Sequence, residues 1–248
     1  LHKAIRRQRQ MCIRDSHYHK IANKKIANEI NNTNGLVGQL KKTINRFDTI
    51  VYIASNPSDI EKVTEYSNLL FEALKLSDIA FKNYYILDDR TKHNVTNYIK
   101  QADLIFLSGG DTYIQNQFFN EMNLKYLLKE YNGVIIGQSA GSINLAENVY
   151  NSPENGTNSE PVHFTGLGLT EINIEPHFNI ETSNFNELEN YQRDNILGES
   201  LSKTIYALCD ESHIFETDNS IVVYGQSYII RRGIISLLCN NKESFIIK

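Results

Sequence analysis

The chain has 248 residues, 41% of them hydrophobic and 22% charged, with a formal net charge of −4. That length buries a full core and suits one α/β domain better than two, while the mildly acidic balance offers no basic footprint for nucleic acid or an anionic membrane. No apolar run approaches the roughly 20 residues a membrane span needs. Cys12, Cys209 and Cys239 are too scattered for a zinc site or a disulfide framework, so the expected setting is the cytoplasm, with no metal and no cofactor.

Residues 1–20 read as a non-native or disordered leader. The stretch is dense in Arg and Gln without a helical stripe, it contains His17 and His19, and Gln8-Arg9-Gln10-Met11-Cys12-Ile13-Arg14-Asp15-Ser16 resembles a translated adapter. A single α/β domain is expected over residues 21–248, with its opening strand missing or replaced. An amphipathic helix is expected over 29–44, from Ile30, Leu36, Val37, Leu40 and Ile44, and an apolar β-branched strand over 49–55. Asn56-Pro57 suits a helix start, with Ile60, Val63, Leu70, Ala73 and Leu74 as its apolar face. Residues 84–87 read as the next strand. The alternation of strand and helix favours a parallel sheet covered on both faces.

A further buried strand, 103–107, runs into Ser108-Gly109-Gly110-Asp111-Thr112 before an amphipathic segment over 113–131. Paired glycines between a strand and a helix let backbone N–H groups face an anion; the plainer reading is a tight turn with Asp111 or Thr112 as N-cap. Residues 133–136 then end in Gly137-Gln138-Ser139-Ala140-Gly141, followed by a helix-compatible stretch over 142–148. This G-x-S-x-G elbow suits a serine nucleophile. The turn lifts the hydroxyl clear, the glycines permit close approach of strand and helix, and the Ala140 N–H lies at a helix start where donors have no intrahelical partner. A buried strand end with a serine N-cap is the plainer alternative.

After a polar loop over 151–160, a strand over 170–174 ends in Glu175-Pro176-His177-Phe178-Asn179, and a helix carrying Leu188, Tyr191 and Ile196 follows. The strand over 204–208 ends in Cys209-Asp210-Glu211-Ser212-His213, and 221–224, 228–230 and 244–247 read as a terminal antiparallel region. Functional groups of an open α/β sheet gather at the carboxyl ends of its strands. Four such ends carry Gly109-Gly110, Ser139, His177 and Asp210-Glu211.

With those pieces in order, the chain resembles the S51 peptidases, the family of dipeptidase E (aspartyl dipeptidase) and cyanophycinase, across residues 45–235. Gly109-Gly110-Asp111-Thr112 matches the family's glycine-rich turn, Gly137-Gln138-Ser139-Ala140-Gly141 its elbow, and Glu175-Pro176-His177-Phe178 its histidine segment. Two departures stand out: Ser108 replaces the first of three glycines, and Asp111 replaces an asparagine.

The resemblance implies a three-layer α/β sandwich with a mostly parallel sheet, related to class I glutamine amidotransferases (flavodoxin-like), with a small C-terminal antiparallel extension. Ser139 stands where those amidotransferases carry cysteine, which argues against glutamine amide transfer. Carried over by residue, Ser139 is the nucleophile, His177 the general base, and the N–H groups of Gly110 and Ala140 the oxyanion hole. Asp210 is the preferred orienting acid, with Glu154 and Glu211 as alternatives. Asn190 and Arg193 are candidates for contacting substrate; Asn190 stands where the aspartyl dipeptidases carry an arginine, so a strict preference for N-terminal aspartate is not expected. The implied partner is a small peptide substrate, without nucleic acid or membrane, for a monomer or homodimer. The competing reading is a catalytically silent α/β module that binds a small peptide or acidic metabolite at the same cleft. A nucleotide-binding domain ranks below both, because neither phosphate-binding glycine motif is present.

Overall fold

The computed structural model describes residues 8–11, 17–21, 24–153, 162–178 and 190–247. In chain order the strands and helices are β1 (Gln8–Met11), β2 (Tyr18–Ile21), β3 (Lys24–Ala27), α1 (Leu36–Thr43), β4 (Thr49–Ile53), α2 (Ile60–Leu76), β5 (Asn83–Leu87), α3 (Val95–Gln101), β6 (Leu104–Leu107), α4 (Thr112–Glu121), α5 (Leu124–Leu127), β7 (Val134–Gly137) and α6 (Ala140–Ile143). There follow β8 (Asn148–Asn151), β9 (Val162–Thr165), β10 (Asn173–Glu175), α7 (Asn190–Glu199), β11 (Ile205–Leu208), β12 (His213–Thr217), β13 (Ser220–Tyr224), β14 (Ser227–Arg231), β15 (Ile234–Cys239) and β16 (Ser244–Ile246).

The central sheet runs β16-β13-β12-β1-β7-β6-β4-β5. Its pairs from β5 through to β1 are parallel, and those from β1 to β16 are antiparallel. Of the parallel strands, β4, β6 and β7 are short apolar runs because both of their faces are covered. Ile50 and Tyr52 of β4, Leu104 and Phe106 of β6, and Val134 and Ile136 of β7 pack with Leu36, Leu40, Val63, Leu70 and Leu74 of α1 and α2. The alternate residues, Val51, Ile53, Ile105, Leu107 and Ile135, pack on the opposite face with Ile99, Phe118, Phe119 and Leu124 of α3, α4 and α5. Successive side chains of a strand point to opposite faces, so each strand feeds both cores.

A second sheet, β10-β11-β14-β15, brings the histidine strand β10 beside β11 in parallel register, Asn173 opposite Ile205 and Glu175 opposite Ala207. Its own core holds Phe178, Ile196, Ile205, Tyr228 and Ile230. The architecture is therefore mixed α/β, with a parallel sheet plus antiparallel ones. The antiparallel region is larger than expected, and it divides between the two sheets.

Several local expectations are revised. Gln8–Met11, set aside above as leader, pairs in parallel with β7 and antiparallel with β12; ladder bonds come from the backbone, so the slot can be filled without an apolar pattern. The helix expected over 29–44 begins only at Leu36. Asn31 Oδ1 accepts the Thr33 N–H at 2.7 Å and Asn32 Oδ1 the Val37 N–H at 2.8 Å. Asparagine side chains thus hold the preceding residues in turns. α2 is capped by Asp59, whose side chain accepts the Lys62 N–H, rather than by Asn56. The segment 113–131 breaks at Asn123, which has φ of 52°.

Candidate active site

The elbow is built by close packing. A Cβ on Gly141 would lie 2.2 Å from the Leu107 carbonyl oxygen at the end of β6, and one on Gly137 would lie 2.6 Å from the Ser142 nitrogen, so only glycine lets α6 approach β6 and β7 at these points. Ser139 between them takes φ 46° and ψ −109°, a strained conformation for a side-chain-bearing residue. His177, just past β10, also has positive φ, at 57°. Both chemistry-bearing residues are held by their surroundings in conformations that the free chain disfavours.

The geometry joins three strand ends. Ser139 Oγ lies 3.1 Å from His177 Nε2, and His177 Nδ1 lies 3.2 Å from Asp210 Oδ1. With Nδ1–H donated to the Asp210 carboxylate, the Nε2 lone pair faces the serine hydroxyl, the arrangement a general base requires. Glu211 sits in left-handed backbone at φ 70° and is exposed, with its carbonyl accepting from Asn34 Nδ2 at 3.0 Å. Of the alternative acids, Glu154 lies outside the described residues. Asn190 and Arg193 fall in the first turn of α7, and their side chains also lie outside what is described.

Two backbone donors flank the serine. Neither the Gly110 N–H nor the Ala140 N–H enters a hydrogen bond among the described residues, which leaves both free for a developing oxyanion. Gly110 has φ of 142°, and a Cβ there would fall 2.2 Å from Ser55 Oγ. Ser55 in turn donates to the Gly109 carbonyl at 2.6 Å, which pins the turn. Asp111 does cap α4, accepting the Ile114 N–H at 2.8 Å. The plainer reading of that pentad, a turn with Asp111 as N-cap, is met, and it leaves the Gly110 N–H without a partner among the described residues.

Part of the supporting frame has no sequence signature. Buried Asn144 donates to the Thr112 carbonyl at 2.9 Å and to Gln115 Oε1 at 3.1 Å, and it accepts from Asn116 Nδ2 at 3.1 Å. Gln115 Nε2 donates to the Ser108 carbonyl at 2.8 Å. These amides tie the elbow helix to the glycine turn. Nothing in their spacing distinguishes them from surface amides.

Burial shapes the neighbouring titrations. Cys209, next to Asp210, is pushed up to about 11 by burial and then by the Asp210 charge, so it stays a thiol and does not compete as a nucleophile. Glu175, two residues before His177, is buried, and among the described residues only the Ser152 hydroxyl bonds to its carboxyl, at 2.7 Å; burial raises it to about 7. No group of three or more His, Cys, Asp or Glu residues converges as a metal shell among the described residues, and no helix there is long and apolar enough to cross a membrane.

The fold has counterparts among known structures. The structure is similar to the crystal structure of a peptidase from an acI-B1 actinobacterium, with a TM-score of 0.70 and 15% sequence identity over 97% of this chain and 96% of that one. It is also similar to a protein described as a candidate peptidase E of Listeria monocytogenes EGD-e, with a TM-score of 0.57 and 17% identity over 88% and 98% of the two chains. At such identities the likeness speaks for the fold. No curated protein matches the sequence. The model of peptidase family S51 matches residues 24–224, which hold the glycine turn, the elbow, the histidine strand and Asp210, and the chain belongs to that family.

Proposed function

We propose that this protein is a serine-type peptidase that cleaves short peptides, dipeptides among them, through an acyl-enzyme on Ser139. The observation that carries the reading is the continuous chain of contacts Ser139–His177–Asp210, flanked by the unspent N–H groups of Gly110 and Ala140. His177 Nε2 takes the hydroxyl proton as Oγ bonds to the substrate carbonyl carbon, and the carbonyl oxygen gathers charge against the two N–H groups. The same imidazole then gives its proton to the leaving amine as the C–N bond breaks. Water, deprotonated in turn by His177, attacks the ester and frees the acid and Ser139. Asp210 holds the imidazole in one tautomer and steadies the imidazolium between the two transfers.

The finer fold class belongs to the same proposal: a three-layer sandwich of the class I glutamine amidotransferase kind, supported by helices on both faces of the parallel strands. So do a cytoplasmic location, a small peptide as the sole partner, and a monomeric or homodimeric state. A fluorophosphonate probe tests the chemistry without knowledge of the substrate. Mass spectrometry is expected to find one adduct, on Ser139, absent from Ser139→Ala and strongly slowed in His177→Ala. Failure of the wild-type protein to react at Ser139 would overturn the reading in favour of a catalytically silent binding module.

A further inference from the structure

A cavity of about 440 Å³ opens beside Ser139 and runs between the sheet and α2. Its rim holds Ser139, His177 and Gly110, and the chemistry above leaves the remaining walls without a task. The floor is a ring pair: Tyr52 near the end of β4 and Phe106 near the end of β6, with centroids 5.8 Å apart and planes 12° from parallel. One stripe of α2 and its cap forms the wall, with Asp59, Val63, Tyr66 and Leu70 spaced four, three and four residues apart, as one helical face requires. At about 1.5 Å per residue that stripe extends roughly 16 Å from mouth to base. The space is deeper than the peptide backbone at the serine needs.

Charge narrows what enters it. Lys62 is the sole lysine or arginine among the described residues lining the cavity, and its Nζ is held 2.9 Å from Asp59 Oδ2. Asp59 is further occupied by the Lys62 N–H, and Asp111 at the rim by the Ile114 N–H. A carboxylate side chain entering here would shed its hydration without meeting an unpaired lysine or arginine among the described lining residues. An uncharged ring instead gains buried apolar area and offset or edge contacts with Tyr52, Tyr66 and Phe106. Gly110 lies on the rim, so a carbonyl whose oxygen points at its N–H carries its own α-carbon, and hence that residue's side chain, to the cavity mouth. The leaving amine must lie toward His177, which protonates it.

We infer that this cavity is the side-chain pocket for the substrate residue on the acyl side of the scissile bond, and that it takes a large uncharged side chain of the aromatic class. The inference rests on the serine acyl-enzyme reading and adds the substrate class. It is tested by kcat/KM on the matched dipeptides Phe-Ala, Tyr-Ala, Ala-Ala, Asp-Ala and Arg-Ala with the wild-type protein and with Val63→Phe, which fills the wall. Phe-Ala and Tyr-Ala are expected to exceed Ala-Ala by about ten- to a hundredfold, the return on burying a ring, with Asp-Ala and Arg-Ala at or below Ala-Ala. Val63→Phe should draw Phe-Ala down toward Ala-Ala; the wild-type series decides even where that variant does not fold. A flat series, or one led by Asp-Ala or Arg-Ala, that still depends on Ser139 overturns the pocket and leaves the serine reading standing. Absence of any Ser139-dependent hydrolysis across the series overturns both.

Discussion

The two ends of the parallel strands carry opposite kinds of polar structure. At the amino ends lies the larger cavity, about 890 Å³, bordered by Arg46, Asp103, Tyr131 and Gly133, against about 440 Å³ at the carboxyl ends. Yet the buried groups of the larger cavity are satisfied. Asp103 accepts the N–H groups of Asp48 and Thr49 at 2.9 and 3.0 Å and pairs with Arg46 at 3.0 Å, and the Tyr131 hydroxyl donates to the Val134 carbonyl at 3.2 Å. The carboxyl ends hold a strained serine, a strained histidine and two N–H groups with no bond to make among the described residues. On the proposed reading, chemistry lies where donors are unspent beside a strained serine and histidine, not at the larger cavity.

Breaking the relay at the carboxyl ends should have the largest effect. Asp210→Asn keeps the shape and removes the charge that selects the imidazole tautomer, so kcat/KM on the best dipeptide is expected to fall by about 10² to 10⁴. The lower part of that range reflects an Asp210 side chain that is one-third exposed, where water screens the interaction. Glu211→Gln should change activity by less than about threefold, since its side chain is exposed. A near-normal Asp210→Asn would transfer the orienting role to another acid, with Glu154 the first to test.

The contrast also predicts a stability effect. Among the described residues Asp103 has three groups offsetting its burial, whereas Glu175 has one hydroxyl. Because burial raises Glu175 to about 7 from an ordinary 4.5, its carboxyl is neutral in both folded and unfolded chains below pH 4.5. Between 4.5 and 7 the unfolded chain ionises first, so the folded state loses stability as pH rises, by roughly 3 kcal/mol at most above pH 7. Glu175→Gln keeps an acceptor for Ser152 and removes the titration. Urea unfolding should therefore find variant and wild type alike at pH 4.5 and the variant more stable at pH 8. A constant difference across that range would show that Glu175 is not held neutral.

Much of the framework was legible because β4, β6 and β7 are short apolar runs ended by glycine or polar turns, as strands buried on both faces must be. The meeting of Ser139, His177 and Asp210 was legible for a related reason: each lies just past a strand whose neighbours the alternation implied. What escaped was governed by side chains acting on backbone or across long separations. Asn31 and Asn32 delay α1, and Asp59 outcompetes Asn56 as the cap of α2. The helix expected over 142–148 is instead α6, Ala140–Ile143, which ends after one turn in the buried Asn144 network, and β8 begins at Asn148. Val63 and Leu70 of the pocket wall belong to the apolar face expected of α2; only the fold reveals that with Asp59 and Tyr66 they also line a cavity beside Ser139.

The most direct test of the central claim is steady-state hydrolysis of the dipeptide series by wild type and Ser139→Ala at matched folded concentration. Members of a nucleophile–base pair act as a unit, so a fall in kcat on the order of 10⁴ to 10⁶ is expected, with unfolding midpoints essentially unchanged. Near-normal hydrolysis by Ser139→Ala would contradict the account.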